Sequence, residues 1–306
     1  MIARGVLALG LAMGVAGGAS GFELSVGASL KGQTERLSLS HDASFVDPIL
    51  GNPTSLLEYG SASSIWAELS LSGRDMAESG LWFDLAAAVP LTGWGNFDDY
   101  DYLAGQLVFS HTSSGVAIGE GLTGALRVPM PFLGELRQDN LAIRPYLTAS
   151  MERRTLSATG LSCGVICGPL PAVPSDLPVI SHDLSGWQAG AGVWLAVELS
   201  QTQTLDVHAE LVGGRLGVSD THFLRTDLGP APHIAYDFAT LGVQVRAAYT
   251  HALTDALAFT AAAGGSLRRG TGTATFGASL PSPIGTFDAD LVQMSGTLSL
   301  GLHATF

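Results

Sequence analysis

Hydrophobic and polar residues alternate with a period of two along most of the chain, most cleanly at its end. There Met294, Gly296, Leu298, Leu300, Leu302, Ala304 and Phe306 share one face, and Ser295, Thr297, Ser299, Gly301, His303 and Thr305 share the other. Successive side chains of an extended chain point to opposite faces, so the pattern predicts a strand with one apolar and one polar or small face. Leu205, Val207, Ala209 and Leu211 oppose Asp206, His208 and Glu210 in the same way, and Leu24, Val26, Ala28 and Leu30 oppose Glu23, Ser25 and Lys31. Alternation and turn signals together predict ten strands, over 22–39, 56–73, 80–95, 106–127, 141–158, 184–200, 203–222, 234–251, 256–271 and 288–306.

A soluble sandwich gives the same alternation, and composition is what separates the two. Only 13% of residues are charged, against roughly a quarter in ordinary soluble domains. Arg4, the apolar run Val6 to Val15 and the small residues Ala19-Ser20-Gly21 before Phe22 read as a cleaved signal peptide over 1–21, leaving 22–306 as a single domain. Past that leader no stretch offers the ~20 apolar residues of a membrane-spanning helix. The terminal Phe306 resembles the insertion signal of bacterial outer-membrane barrels. Open sheet edges are costly in lipid, so strands of this kind must close on themselves. The expected fold is therefore all-β: a ten-stranded antiparallel transmembrane β-barrel with strands extended on the extracellular side and short periplasmic turns such as 200–203.

Charge narrows the partners. Lys and Arg number 14 against 27 Asp and Glu, and loss of the leader with its one Arg gives 13 − 27 = −14. Nucleic acid is excluded as a partner, because phosphate binding needs a basic patch. Cys163 and Cys167, exported to an oxidising space, are expected to close a small disulfide loop, and a zinc site is the weaker reading because no further Cys or His pair sits near them.

Two groups of titratable residues stand at strand ends on the outer side. In Asp220-Thr221-His222 the acid and the imidazole keep the inward parity of Asp206, His208 and Glu210, so the carboxylate is placed to orient the ring while its other nitrogen takes a proton from water. In Asp98-Asp99-Tyr100-Asp101 the residues Asp99 and Asp101 share a face, and paired carboxylates resist losing both protons. Odd positions point outward at Phe83, Leu85, Ala87 and Val89, so a bulge or twist near Gly93 and Gly95 is needed to turn Asp99 and Asp101 inward. His208 and Glu210, deeper on the inward face, read as polar filling.

Gly95-Asn96-Phe97-Asp98-Asp99-Tyr100-Asp101-Tyr102 resembles the GN-x-x-D-x-D-aromatic segment of the omptin family of outer-membrane endoproteases, and Ser219-Asp220-Thr221-His222 resembles its later D-x-H. Weaker matches are Gly32-Gln-Thr-Glu35-Arg36 and Phe109-Ser110-His111-Thr112. The resemblance implies cleavage of polypeptides at the cell surface. Asp220 would orient His222 as general base, and Asp99 with Asp101 would hold the attacking water. It also implies a substrate-binding role for Glu35 and a site-lining one for His111, with Val218 standing where the family commonly has an acid. No metal or cofactor is implied. Lipopolysaccharide is implied as a partner on the barrel exterior, through Glu152 and Arg154 of Met151-Glu152-Arg153-Arg154. The acidic mouth and the negative chain favour cationic peptides. The rival reading is a noncatalytic barrel, an adhesin or envelope scaffold. A lipid-modifying barrel would need a Ser/His arrangement at the rim, where adjacency in Ser110-His111 sends the two side chains to opposite faces.

Overall fold

Each alternating segment pairs with its sequence neighbour, and the last pairs with the first. The computed structural model describes residues 22–75, 82–130, 136–166, 173–225 and 229–306, so the expected signal peptide lies outside the described residues. The strand segments are β1 (Phe22–Asp42), β2 (Ser55–Asp75), β3 (Trp82–Trp94), β4 (Asn96–Leu103), β5 (Leu107–Pro129), β6 (Leu136–Gln138), β7 (Leu141–Val165), β8 (Pro178–Ser200), β9 (Gln203–His222), β10 (Ile234–Ala252), β11 (Leu257–Phe276) and β12 (Gly285–Thr305). β3 and β4 are one wall strand interrupted at Gly95, since both pair with β2 on one side and β5 on the other. β6 is a short piece against the start of β7. Pairing of β1 with β12 closes a ring of ten antiparallel strands. The main differences from the expected strands are extensions, since 96–103, 159–165 and 178–183 are strand as well, so the Asp98–Asp101 cluster lies within the wall; β6 is an unexpected short piece, and the strand expected over 80–95 breaks at Gly95.

Parity sets the two faces of the wall. On β1, Leu24, Val26, Ala28 and Leu30 face outward, and Lys31 faces inward to donate to Glu68 at 2.5 Å. The matching residues of the other strands complete an apolar outer band, among them Leu211, Val243, Val245, Leu298 and Leu300. Inside this band the lumen holds ion pairs and hydrogen bonds. Arg127 donates to Glu210 at 2.9 Å and also to Asp84, and Tyr146 donates to Glu210 at 2.8 Å.

Above the band the polarity of the two faces reverses, on β1 without any slip in parity. Arg36, Ser38 and Ser40 now face out, while Leu37 and Leu39 pack inside with Leu57, Phe97, Leu216, Phe238 and Leu291. The cause is the surroundings: below, the exterior is apolar and the lumen polar; above, the exterior meets water and the lumen is a packed core. About ten residues per strand at about 3.3 Å each, foreshortened by strand tilt, lift the mouth roughly 25 Å beyond the band.

Two bulges set the face of the acidic cluster. Trp66 pairs with Pro90 and Ile65 with Thr92, so Leu91 is the extra residue of β3; Glu35 pairs with Ala62 and Leu37 with Tyr59, so β2 carries its own extra residue at 60–61. Past Leu91 the inward positions of this wall strand are odd, which brings Phe97 against Tyr59 and Asp99 opposite Leu57 on the lumen side. Gly95 takes φ 152°, and a Cβ there would stand 2.5 Å from the Ser61 carbonyl oxygen. Gly95→Ala is therefore expected to cost about 1–3 kcal/mol, readable as a lower midpoint in denaturant unfolding from lipid vesicles; an unchanged midpoint contradicts the strained geometry.

Candidate active site

β4 and β9 lie on opposite sides of the ring, four strands apart along the wall through β5, β7 and β8. Asp220 and His222 occupy the upper end of β9 on inward positions, and His222 Nε2 lies 3.1 Å from Asp220 Oδ2. Asp220 is fully buried. Burial alone raises the pKa of a carboxyl, but the His182 and His222 imidazoles facing it outweigh that and hold Asp220 well below the usual carboxylate range. Burial pulls the His222 imidazole down, and the Asp220 charge and hydrogen bond, with Asp99 behind them, raise it above its ordinary value.

Across the lumen, burial lifts Asp99 to about 7, with the charges of Asp101 and Asp220 adding to the rise and His222 opposing it. Asp99 and His222 thus stand close enough to set each other's ionisation. Asp101, opposite Ser55 and Ser110, accepts a 2.6 Å hydrogen bond from Ser110 Oγ. Near neutral pH this arrangement holds a protonation-poised carboxyl facing an ionised carboxylate and an imidazole.

Several residues that sequence reasoning missed complete the mouth. His41 of β1 is buried, which lowers its pKa, while Asp101 and Asp220 pull the other way. Tyr236 of β10 is fully enclosed, and burial with the Asp220 and Asp99 charges raises its phenol well above the ordinary value. The buried polar atoms Asp220 Oδ1, Tyr236 OH and His41 Nδ1 have no hydrogen-bond partner among the described residues. His233 Nδ1 accepts the His222 backbone N–H at 2.8 Å and fixes the end of β9. Parity offered a signal for His41, which shares the inward face of Glu35; nothing in the sequence points to His233.

Four other expected residues fall in different places. His111 lies on the outer side of the wall opposite Tyr100, its ring stacked on that phenol at a centroid separation of 4.3 Å and its Nε2 2.9 Å from Asp98 Oδ1. Glu35 does face the lumen, yet it is saturated: Arg154 donates two hydrogen bonds to its two oxygens and Gln293 a third at 2.8 Å. Glu152 and Arg154 correct the expectation of an exterior lipid contact. The outward residues of β7 are Leu147, Met151 and Arg153, so even positions point inward, where Arg154 meets Glu35 and Arg268 donates to Glu152. Val218 is inward and buried. Cys163 is disulfide-bonded, and Cys167 lies outside the described residues.

No protein-family profile and no curated protein matches the chain. Among solved structures it is similar to the outer membrane protease OmpT from Escherichia coli, with a TM-score of 0.69 at 12% identity over 93% of this chain and 97% of that one. OprG from Pseudomonas aeruginosa gives a TM-score of 0.37 at 8% identity over 94% and 96% of the two chains, and the attachment invasion locus protein Ail of Yersinia pestis 0.29 at 10% over 92% and 98%. What the chain shares with the first is the fold, that of an outer-membrane β-barrel.

Proposed function

We propose that the chain is an omptin-like endopeptidase of the bacterial outer membrane that cleaves polypeptides with a water activated between Asp220–His222 and Asp99–Asp101. One observation carries this reading: two acid groups from opposite walls converge at the mouth of the barrel, one of them ordering an imidazole. With Nε2 engaged by Asp220, the Nδ1 of His222 takes the proton of the water as its oxygen attacks the peptide carbonyl carbon, and His222 then returns that proton to the departing amine. Asp99 and Asp101 hold the water and bear on the developing charge. No covalent enzyme intermediate is needed.

The wall supports an outward-facing mouth. Connections at the site end include long ones such as 43–54, although 104–106 spans only three residues, and at the other end 201–202 is a two-residue turn. The outward side chains Arg36, Arg153, Arg215 and Arg269 stand just above the apolar band on four different strands, where lipopolysaccharide phosphates would meet them. This exterior set replaces Glu152 and Arg154 as the proposed lipid contact. Any preference for cationic substrates would rest on Asp99, Asp101 and the net charge of −13, because Arg154 already occupies Glu35.

The reading is tested by incubating refolded protein, with and without lipopolysaccharide, with a peptide library. Cleavage by the wild type that His222→Ala loses supports it. A folded barrel that cuts nothing leaves the noncatalytic scaffold. Protonating Asp99 or His222 removes the charge distribution the water needs, so activity should fall as pH drops below about 7. A rate constant maintained down to pH 5 contradicts that assignment.

A further inference from the structure

Asp220 has a second imidazole against it that the scheme above leaves without a task. His182 of β8 is the cross-strand neighbour of Asp220, and both side chains are fully buried. Tyr59 reaches across the lumen from β2, its hydroxyl 2.7 Å from His182 Nδ1 and its ring edge-on to the imidazole at 5.5 Å. A buried phenol must place its proton on an acceptor, and Nδ1 is the one it meets. Accepting at Nδ1 puts the proton of the neutral imidazole on Nε2. That Nε2 is buried with no ordinary hydrogen bond and stands 3.5 Å from Asp220 Oδ2, the oxygen that His222 Nε2 approaches at 3.1 Å. One carboxylate oxygen thus faces two imidazole nitrogens, one toward the mouth and one toward the core.

We propose that Tyr59 and His182 are positioning residues: Tyr59 fixes the tautomer of His182, and His182 holds Asp220 as the ionised acceptor of the His222 Nε2–H, leaving Nδ1 of His222 for the water. Burial first, then the Asp220 and Glu35 charges, keep the Tyr59 phenol far above its ordinary range, so it remains a donor at every working pH. Other titratable groups face the same centre. Asp99 and Asp101 approach from β4, His41 from β1 and Tyr236 from β10. Arg225 and His233 bear on His222 from beyond β9, and Arg154 acts on Tyr59 from β7. The two groups placed on Asp220 Oδ2 are His182 and His222, and that contact is what the proposal turns on.

The test is nitrogen-15 histidine magnetic resonance of the full mature chain in micelles, read beside the pH dependence of kcat/KM. The wild type should show His182 protonated on Nε2. His182→Phe leaves the Asp220 charge to His222 alone, and Tyr59→Phe frees the His182 tautomer so that Nε2 is no longer obliged to present a proton to Asp220; in both, the His222 titration midpoint should rise by roughly half to one pH unit, and the acid limb of kcat/KM with it. His182→Gln keeps a donor and an acceptor and should bring the midpoint back toward the wild type. A merely structural pair would lower the unfolding midpoint and leave the titration where it was. Unshifted titration in both Phe variants, or His182 protonated on Nδ1 in the wild type, overturns the proposal. The kinetic arm rests on the hydrolase reading and the resonance arm does not, so a protein that cuts no peptide ends the first and leaves the second decided by the titration.

Discussion

His222→Ala should lower kcat/KM for a cleaved peptide by roughly 10²–10⁴-fold, the usual contribution of a positioned general base. The reason lies in how β9 ends. Asp220 is buried in an apolar core and carries its charge because two imidazoles face it. His222 is raised by Asp99 across the lumen as well, so its loss removes the group that takes the proton while the carboxylate keeps His182. The barrel should therefore fold, and its unfolding midpoint should change far less than its activity. Substituting Asp99 with asparagine should give a loss of similar order. If either variant retains the wild-type rate, the water is not activated between these groups.

Glu35→Ala is the change with the largest expected effect on stability. Glu35 is 4% exposed, takes both guanidinium N–H groups of Arg154 and a third bond from Gln293, and sits where the polar lumen gives way to the packed core. Removing the carboxylate leaves Arg154 charged and enclosed, and breaking one side of a buried pair costs roughly 3–5 kcal/mol. Denaturant unfolding in lipid vesicles measures it. Replacing both partners with Leu and Met should recover most of the loss, because the desolvation of the cation goes with it. Glu35→Gln should leave the ratio of cleavage at basic over neutral sites unchanged, since the carboxylate is already satisfied. A loss under about 1 kcal/mol in Glu35→Ala would mean that water reaches the pair.

The strands were legible because a wall between two unlike surroundings enforces period two, and the ten alternating segments match the ring closely. Asp220 and His222 were legible for the same reason, lying on an unbroken strand whose even residues point inward. Asp99 and Asp101 needed a bulge that the glycines at 93 and 95 hinted at; the extra residue is Leu91, and Gly95 supplies the break between β3 and β4. Glu152 and Arg154 were misplaced because likeness of sequence gives position along a strand but not the face, which one residue of register reverses. The outward Leu147 and Met151 already carried the correct face. The reversal at Leu37 and Leu39, where apolar residues take the parity that is polar lower on β1, went unread, and it marks where the outer wall leaves the apolar band. His182 was out of reach: its role depends on a cross-strand partner and on Tyr59 from the far wall, and neither is encoded near it.

Joint action of groups from β4 and β9 on one water is measured by a double-mutant cycle in kcat/KM. With Asp99→Asn, His222→Gln and the double variant, joint action requires that the double lose little more than the worse single, since either change alone disables the shared step. Losses that multiply would show two groups working independently and would contradict it.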